Sequence, residues 1–283
     1  MTSMRNEPRI IEIGPWLETP PGRYALAWTM RQVDRAVADA FGYHALQLGL
    51  PELDGLRANR MPHRWVAQDT LVQPASIALP PPADESITIE SPERAVALQC
   101  AFDALPFPSA SIDLALLPHT LELAHDPHAT LAEVERVLVA EGRVVIVGFN
   151  PASLWGLRQW GGWGARFGLR RWQGDGAPHV AEFLGYRRVR DWLRLLSFDI
   201  DGGRFGLWRP PLGTQRGLER LAWMDRLGSH WWPVLGGIYA IEAVKRVRGM
   251  RLVGLRRQPS QRVVPAPAVV AQRRRERIEE PVS

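Results

Sequence analysis

One stretch of the sequence restricts the fold more than any other. Ile112 to Leu117 is a short apolar run, Asp126-Pro127 opens a helical pattern through Leu131, Val134 and Leu138, and Val144 to Phe149 is a nearly continuous β-branched run. Aspartate at a helix cap accepts free backbone N–H groups, and proline fits the first helical position, so Asp126-Pro127 predicts a helix start. Glu141-Gly142 marks its expected end. Runs as apolar as Val144 to Phe149 suit strands covered on both faces, which is the habit of parallel sheets. Strand, helix, strand is a βαβ unit and implies an α/β sheet.

The flanking segments extend the pattern. Leu26, Met30, Val33, Val37 and Phe41 recur at three- and four-residue steps and predict an amphipathic helix over Arg23 to Phe41. Ala45 to Leu50 reads as a buried strand leading into Gly49-Leu50-Pro51, a candidate strand-to-helix turn. Trp65-Val66-Ala67 and Ile87-Thr88-Ile89 are strand candidates separated by Pro80, Pro81 and Pro82, so a loop or hairpin is expected between them. Val96 to Phe102 is a further apolar run, and it contains Cys100, the single cysteine, which reads as a packing residue. Arg188 to Leu196 predicts a helix with Val189, Trp192, Leu193 and Leu196 inward, Phe198 begins another strand, and Ile238 to Val247 is the last.

Charge divides the chain. From Arg246 onward ten arginines stand against three glutamates, while the net charge of the whole is +5, so the basicity belongs to the end of the sequence. Arg273-Arg274-Arg275 lacks interleaved aromatics, which disfavours a nucleic-acid partner. The first 13 residues carry charges where a signal peptide needs an apolar stretch, and no run of about 18 apolar residues occurs, so the expected compartment is the cytoplasm. The expected organisation is an N-terminal extension over 1–22, one domain over 23–250 with a Trp- and Gly-rich insertion at about 150–178, and a disordered Arg- and Pro-rich tail over 251–283.

In an open α/β sheet, ligands bind beyond the carboxyl ends of the strands. The candidate loops are therefore Gly49 to Asp54, the Asp69 region, Asp103-Ala104, Pro118 to Glu122 and Phe149 to Trp155. The segment Phe102-Asp-Ala-Leu-Pro-Phe-Pro108, with Ile112-Asp-Leu114, Asp126-Pro127, Leu131-Ala-Glu-Val-Glu-Arg-Val-Leu138 and Glu141-Gly-Arg-Val-Val-Ile146, resembles the type 11 methyltransferase family. Phe149-Asn-Pro-Ala-Ser-Leu-Trp-Gly156 is similar to a small bacterial branch of it.

The resemblance implies a Rossmann-like sheet, mostly parallel with an antiparallel last strand and helices on both faces. It also implies S-adenosylmethionine as cofactor and a small or lipophilic methyl acceptor. On that resemblance Asp103 faces the adenine amino group with Ala104 beside the ring, Gly49 lets the backbone approach the cofactor, Asp69 bonds the ribose, and Gln47 or Glu52 holds the cofactor amino group. The family usually carries an acidic residue and two or three glycines in the first turn, whereas this chain reads Gln47-Leu-Gly-Leu-Pro-Glu52. That departure leaves a second reading open, a methyltransferase-fold binding or scaffold protein without turnover.

Other residues are candidates on their own chemistry. His119 follows a buried strand and could serve as a base or as a wall residue. Asn150, Trp155, Trp160 and Trp163 are candidates for the acceptor side, because nine of the twelve tryptophans fall between Trp155 and Trp232. Trp and Arg together over Trp155 to Trp172 also suit a peripheral membrane contact. His125 and His128 flank a helix cap without an evident third ligand, so no metal site is expected. The sequence leaves the oligomeric state open.

Overall fold

The computed structural model describes residues 13–70, 96–159 and 183–246. Seven strands form one sheet: β1 (His44–Leu48), β2 (His63–Asp69), β3 (Leu98–Cys100), β4 (Ile112–Pro118), β5 (Leu138–Phe149), β6 (Phe198–Gly206) and β7 (Ile238–Lys245). Their order is β3-β2-β1-β4-β5-β7-β6. The first five run parallel, and β7 lies antiparallel between β5 and β6. The chain works outward from β1 to β3 and then returns to place β4 beside β1, so the strand order reverses there, where α/β sheets open a crevice. This is a Rossmann-like methyltransferase sheet.

Helices cover both faces: α1 (Ile13–Leu17), α2 (Pro20–Ala38), α3 (Thr120–Leu123), α4 (Pro127–Val137), α5 (Leu154–Gln159), α6 (Tyr186–Leu195), α7 (Gln215–Arg220) and α8 (Trp223–Trp231). One buried cluster joins α1 and α2 to Leu114, Leu116, Val145, Val147 and Phe149, and the other joins α4 and α6 to Leu46, Leu48, Leu117, Val144 and Ile146. Alternate residues of β4 and β5 thus feed opposite cores, which is the period-two rule of a strand buried on both sides. Fully burying such a side chain is worth about 2 kcal/mol, so the run from Val144 to Phe149 fixes the centre of the sheet.

Several local expectations need correction. Helix α2 starts at Pro20 behind a Thr19 cap, and its buried face runs through Ala25, Trp28, Thr29, Gln32 and Val33, leaving Phe41 exposed beyond the helix. Trp28 reaches the core where a reading centred on Leu26 and Met30 leaves it outside, so the apolar face is rotated from the expected one. Helix α4 stops at Val137 instead of Glu141, because Leu138 already pairs with Ile112. The residues up to Gly142 form an irregular kink with Glu141 in the left-handed region before Arg143 pairs with Leu114.

The turn after β1 leads into no helix. The connection from Gly49 to Pro62 is a succession of tight turns, with Leu53 N–H donating to Leu50 O and Asn59 N–H to Leu56 O. Strand β3 is only Leu98–Cys100 of the longer run that was expected, and Cys100 is buried in the sheet, its thiol pushed up to about 11 by burial. The strand candidate at 87–89, residues 160–178 of the insertion and the tail from 251 lie outside the described residues. The chain divides into units Met1–Val247 and Arg248–Ser283.

The Asp126 cap is present: its carboxylate accepts the N–H groups of His128 and Ala129 at 2.9 and 3.0 Å. Those bonds, Ala129's foremost, hold its carboxyl below the usual carboxylate range. The stabilisation is therefore complete above the unfolded value, about pH 4, and is lost as pH falls through the lower folded value. Asp126→Ala is expected to lower the melting temperature at pH 7, with the difference from wild type shrinking in melts recorded at successively lower pH.

Candidate functional site

At the carboxyl ends of β2 and β3 a cleft of about 280 Å3 is lined by Asp69, Thr70, Ala101, Phe102, Asp103, His125, Asp126 and Thr130. Asp69 ends β2 and is 7% exposed, while Asp103 and Ala104 lie exposed in the turn after β3. The far wall is the N-terminal end of α4, brought there by the βαβ crossover. The sequence pointed to Asp69 and Asp103; it did not show that His125, Phe102 and Thr130 share their cleft. The available signal was the Asp126-Pro127 cap, since a helix start lies at the same sheet edge as the strand ends before it.

The other half of this edge is closed. Gln47 is fully buried, and its Nε2 donates to Gly49 O, Leu50 O and Leu53 O at 3.1, 2.9 and 2.8 Å while its Oε1 accepts Gly55 N–H at 3.1 Å. Gln47 therefore organises the turn and has no amide proton left for a ligand. The same side chain bridges the carbonyls of residues 49, 50 and 53, two of which also accept main-chain N–H groups in tight turns, Leu53 N–H on Leu50 O and Gly55 N–H on Leu53 O.

Gly49 has φ +77° and Leu50 φ +48°, a left-handed pair that only glycine adopts freely. The Leu50 side chain is buried on the α1–α2 face, away from the cleft's Phe102 wall. A Cβ on Gly49 would meet Thr120 Oγ1 at 3.5 Å and the Phe102 ring at 3.7 Å, so protein atoms already stand against this turn. The Thr120 hydroxyl donates to Leu48 O, locking β1 to the end of β4. Glu52 is exposed and lies toward α1, where a Cβ added at Gly14 would come 2.8 Å from its Oε1.

His119 sits in the left-handed region at φ +56°, is 3% exposed, and stacks on Phe149 at 4.3 Å. Its Nδ1 lies 3.1 Å from Glu122 Oε2, and the other Glu122 oxygen accepts the Phe149 N–H. Tyr239, packed beneath Gly148, donates to Leu184 O at 2.9 Å. Burial raises the Glu122 carboxyl above its usual range, opposed by the hydrogen bond and charge of His119 and by the Phe149 N–H. The sequence reading missed Glu122 as a partner; its three-residue spacing from His119 across the start of α3 was the signal.

The expected acceptor wall is placed differently. Asn150 is buried, with its Nδ2 donating to Val234 O and Gly236 O and its Oδ1 accepting Ala152 N–H. Trp155 is fully buried against Trp16, and its indole N–H donates to Arg209 O at 2.8 Å. Both residues brace the core because their polar atoms find backbone partners. Trp160 and Trp163 lie outside the described residues. No group of three His, Cys, Asp or Glu among the described residues is placed to hold a metal ion.

A sheet of this order, with its reversal between β1 and β4, defines the class of Rossmann-like α/β folds. Residues 73–146 match the family model described as a methyltransferase domain, that of the type 11 enzymes, whose cofactor is S-adenosylmethionine. The uncharacterized protein YafS of Escherichia coli K12 is 38% identical over 96 residues, covering 34% of this chain and 36% of its own. The malonyl-[acyl-carrier protein] O-methyltransferase of Laribacter hongkongensis is 36% identical over 106 residues, covering 37% of this chain and 32% of its own. The chain thus matches about a third of the length of each of these relatives. Among solved structures, a methyltransferase of Thermotoga maritima superposes with TM-score 0.48 at 14% identity over 82% of this chain and 93% of that one. Another from Archaeoglobus fulgidus gives 0.48 at 15% identity over 79% and 94%.

The buried Glu122 carboxyl makes a pH prediction. A carboxyl raised on folding contributes stability that is present below its unfolded value, about 4.3, and is lost as pH rises through the folded value. Glu122→Gln keeps an acceptor for Phe149 N–H. Relative to this variant, wild type is expected to lose unfolding free energy in urea melts taken at rising pH from 4 upward, and equal pH slopes would contradict the assignment.

Proposed function

We propose that this chain is an S-adenosylmethionine-dependent methyltransferase acting on a small or lipophilic acceptor, with the adenosyl portion of the cofactor between Asp69 and Asp103. The observation that carries this is the cleft at the carboxyl ends of β2 and β3, walled by carboxylates and by Phe102. Ribose hydroxyls and an adenine amino group are donors, and carboxylates are acceptors only, so the donor and acceptor sets match. The volume falls just under the usual range for small-ligand pockets, about 300–1,000 Å3, and suits a nucleoside better than a whole cofactor. The stretch shared with the Laribacter enzyme supports the transferase reading and leaves the acceptor open.

When bound, the cofactor supplies an electrophilic methyl on a sulfonium. The protein's task in such a transfer is alignment more than proton movement. Asp69, at the rigid end of β2, fixes the ribose; Asp103, in a turn, adapts to the base; Phe102 excludes water between them. His119 is buried and tied to Glu122, so in this reading it braces β4 against β5 instead of meeting the acceptor.

A second reading keeps the nucleoside site without turnover. It is favoured by Phe102 and Thr120 standing against Gly49, where the amino-acid portion would approach, and by the fully engaged Gln47 amide. Titration calorimetry with S-adenosylhomocysteine and with 5′-methylthioadenosine separates the two. The transferase reading predicts that the homocysteine compound binds more tightly, and that Asp69→Asn weakens it by about tenfold or more, the size of a lost bond to a charged acceptor. Equal affinity for both compounds would favour the second reading, and no heat from either would remove both.

A further inference from the structure

The 31 residues from Leu207 to Gly237 join the antiparallel neighbours β6 and β7, a connection that a two-residue turn could make. This excursion leaves the sheet at the carboxyl edge of β5, where Asn150 grips the carbonyls of Val234 and Gly236. Its inner side is anchored. Asp225 of α8 pairs with Arg209 at 2.8 Å and accepts the Tyr24 hydroxyl, and Trp208 donates its indole N–H to Trp232 O at 2.9 Å. Gly228 lets α8 lie on the Trp208 ring, since a Cβ there would come within 2.2 Å of it.

The outer side is apolar. Trp223, Leu227 and Trp231 stand at four-residue steps on one face of α8, and Trp232, Val234 and Leu235 continue the patch; all six are 44–68% exposed. Scattered exposed apolar residues need no explanation, but a contiguous stripe containing three tryptophans marks a contact surface. Arg216 and Arg220 of α7 and Arg226 of α8 are also exposed. Of the two acids in the same elements, Asp225 is paired inward with Arg209, while Glu219 is exposed and keeps its charge beside the neutral Gln215 amide, so three exposed arginines stand against one exposed carboxylate. The outward chemistry is therefore apolar with a net positive charge.

We propose that this excursion docks the protein on an anionic lipid surface, with Trp223, Leu227, Trp231 and Trp232 at headgroup depth and the three arginines on lipid phosphates. Tryptophan and arginine side chains suit that depth, because each has an apolar body and a polar end. An anionic leaflet adds attraction for each nearby arginine. A second copy of this chain fits less well, since it would bring the same exposed arginines face to face. The surface lies beside the carboxyl edge of the sheet, so docking would turn that edge toward the bilayer. The proposal concerns α8 and the turn after it, not the tryptophan segment at 155–172, and it does not depend on turnover.

Flotation of the full chain with phosphatidylcholine vesicles, plain or mixed with phosphatidylglycerol, tests it. Flotation is expected with the mixed vesicles only. The double variant Trp223→Ser with Trp231→Ser should abolish it, and Arg220→Glu with Arg226→Glu should weaken partitioning by at least about tenfold. The pair Phe41→Ser with Tyr43→Ser, exposed at the amino end of β1, should leave it unchanged. Circular dichroism melts establish that each variant is folded. Absence of flotation, equal flotation on both vesicle types, or flotation insensitive to the tryptophan variant would overturn the proposal. So would a dimer, seen by light scattering, that dissociates in the tryptophan variant without any vesicle binding.

Discussion

The buried amide of Gln47 is the constraint around which the candidate site is built. Four hydrogen bonds from one side chain gather the carbonyls of Gly49, Leu50 and Leu53 and the N–H of Gly55. A buried amide left with unmade bonds would cost about 1–3 kcal/mol per group, so the side chain and the turn define each other. Two of those carbonyls also accept the N–H groups of Leu53 and Gly55, so the β1–β2 connection is held as a succession of tight turns. It packs Leu53 and Leu56 into the core as a turn-rich loop and holds Gly49 and Leu50 in left-handed geometry. The reversal of strand order between β1 and β4 then opens at the β2–β3 side of this turn and is closed on the turn itself.

The site consequently has two halves with different physics. Around Asp69 and Asp103 there is a cleft with acceptors at its wall and lip. Around Gly49, His119 and Glu122 there is a packed, hydrogen-bonded core in which Phe149 is stacked between His119 and Phe183. The first half suits the donors of a nucleoside. The second supplies rigidity, fixing the ends of β1, β4 and β5 relative to one another.

The sheet was largely legible in the sequence because its signals are local. Val144 to Phe149 could bury itself only as a central strand, and Asp126-Pro127 could hardly be anything except a helix start. Asp69 follows from its spacing past the Gly49 turn and Asp103 from the Phe102–Pro108 motif; in the structure Asp69 ends β2 and Asp103 lies in the turn after β3. The β1–β2 connection was not legible: Gln47-Leu-Gly-Leu-Pro reads as a strand-to-helix turn until the side-chain amide is seen to occupy the backbone. The tryptophans misled for a similar reason, since composition cannot tell which side of a chain faces in. Trp155 went to the core on a bond to Arg209 O, while Trp223 and Trp231, four-residue steps along α8, went to the surface. His119 reads as a base or as a wall residue from its position alone, and its burial beside Glu122 favours the bracing role proposed for it.

The central claim is that the cleft between β2, β3 and the start of α4 is the nucleoside site. Amide chemical-shift mapping of the labelled full chain with S-adenosylhomocysteine tests it most directly. The account predicts saturable shifts concentrated at Thr70, Ala101, Asp103 and His125, with Glu122 and Tyr239 little changed. Saturable shifts confined to other parts of the chain, or none at millimolar ligand, would contradict it.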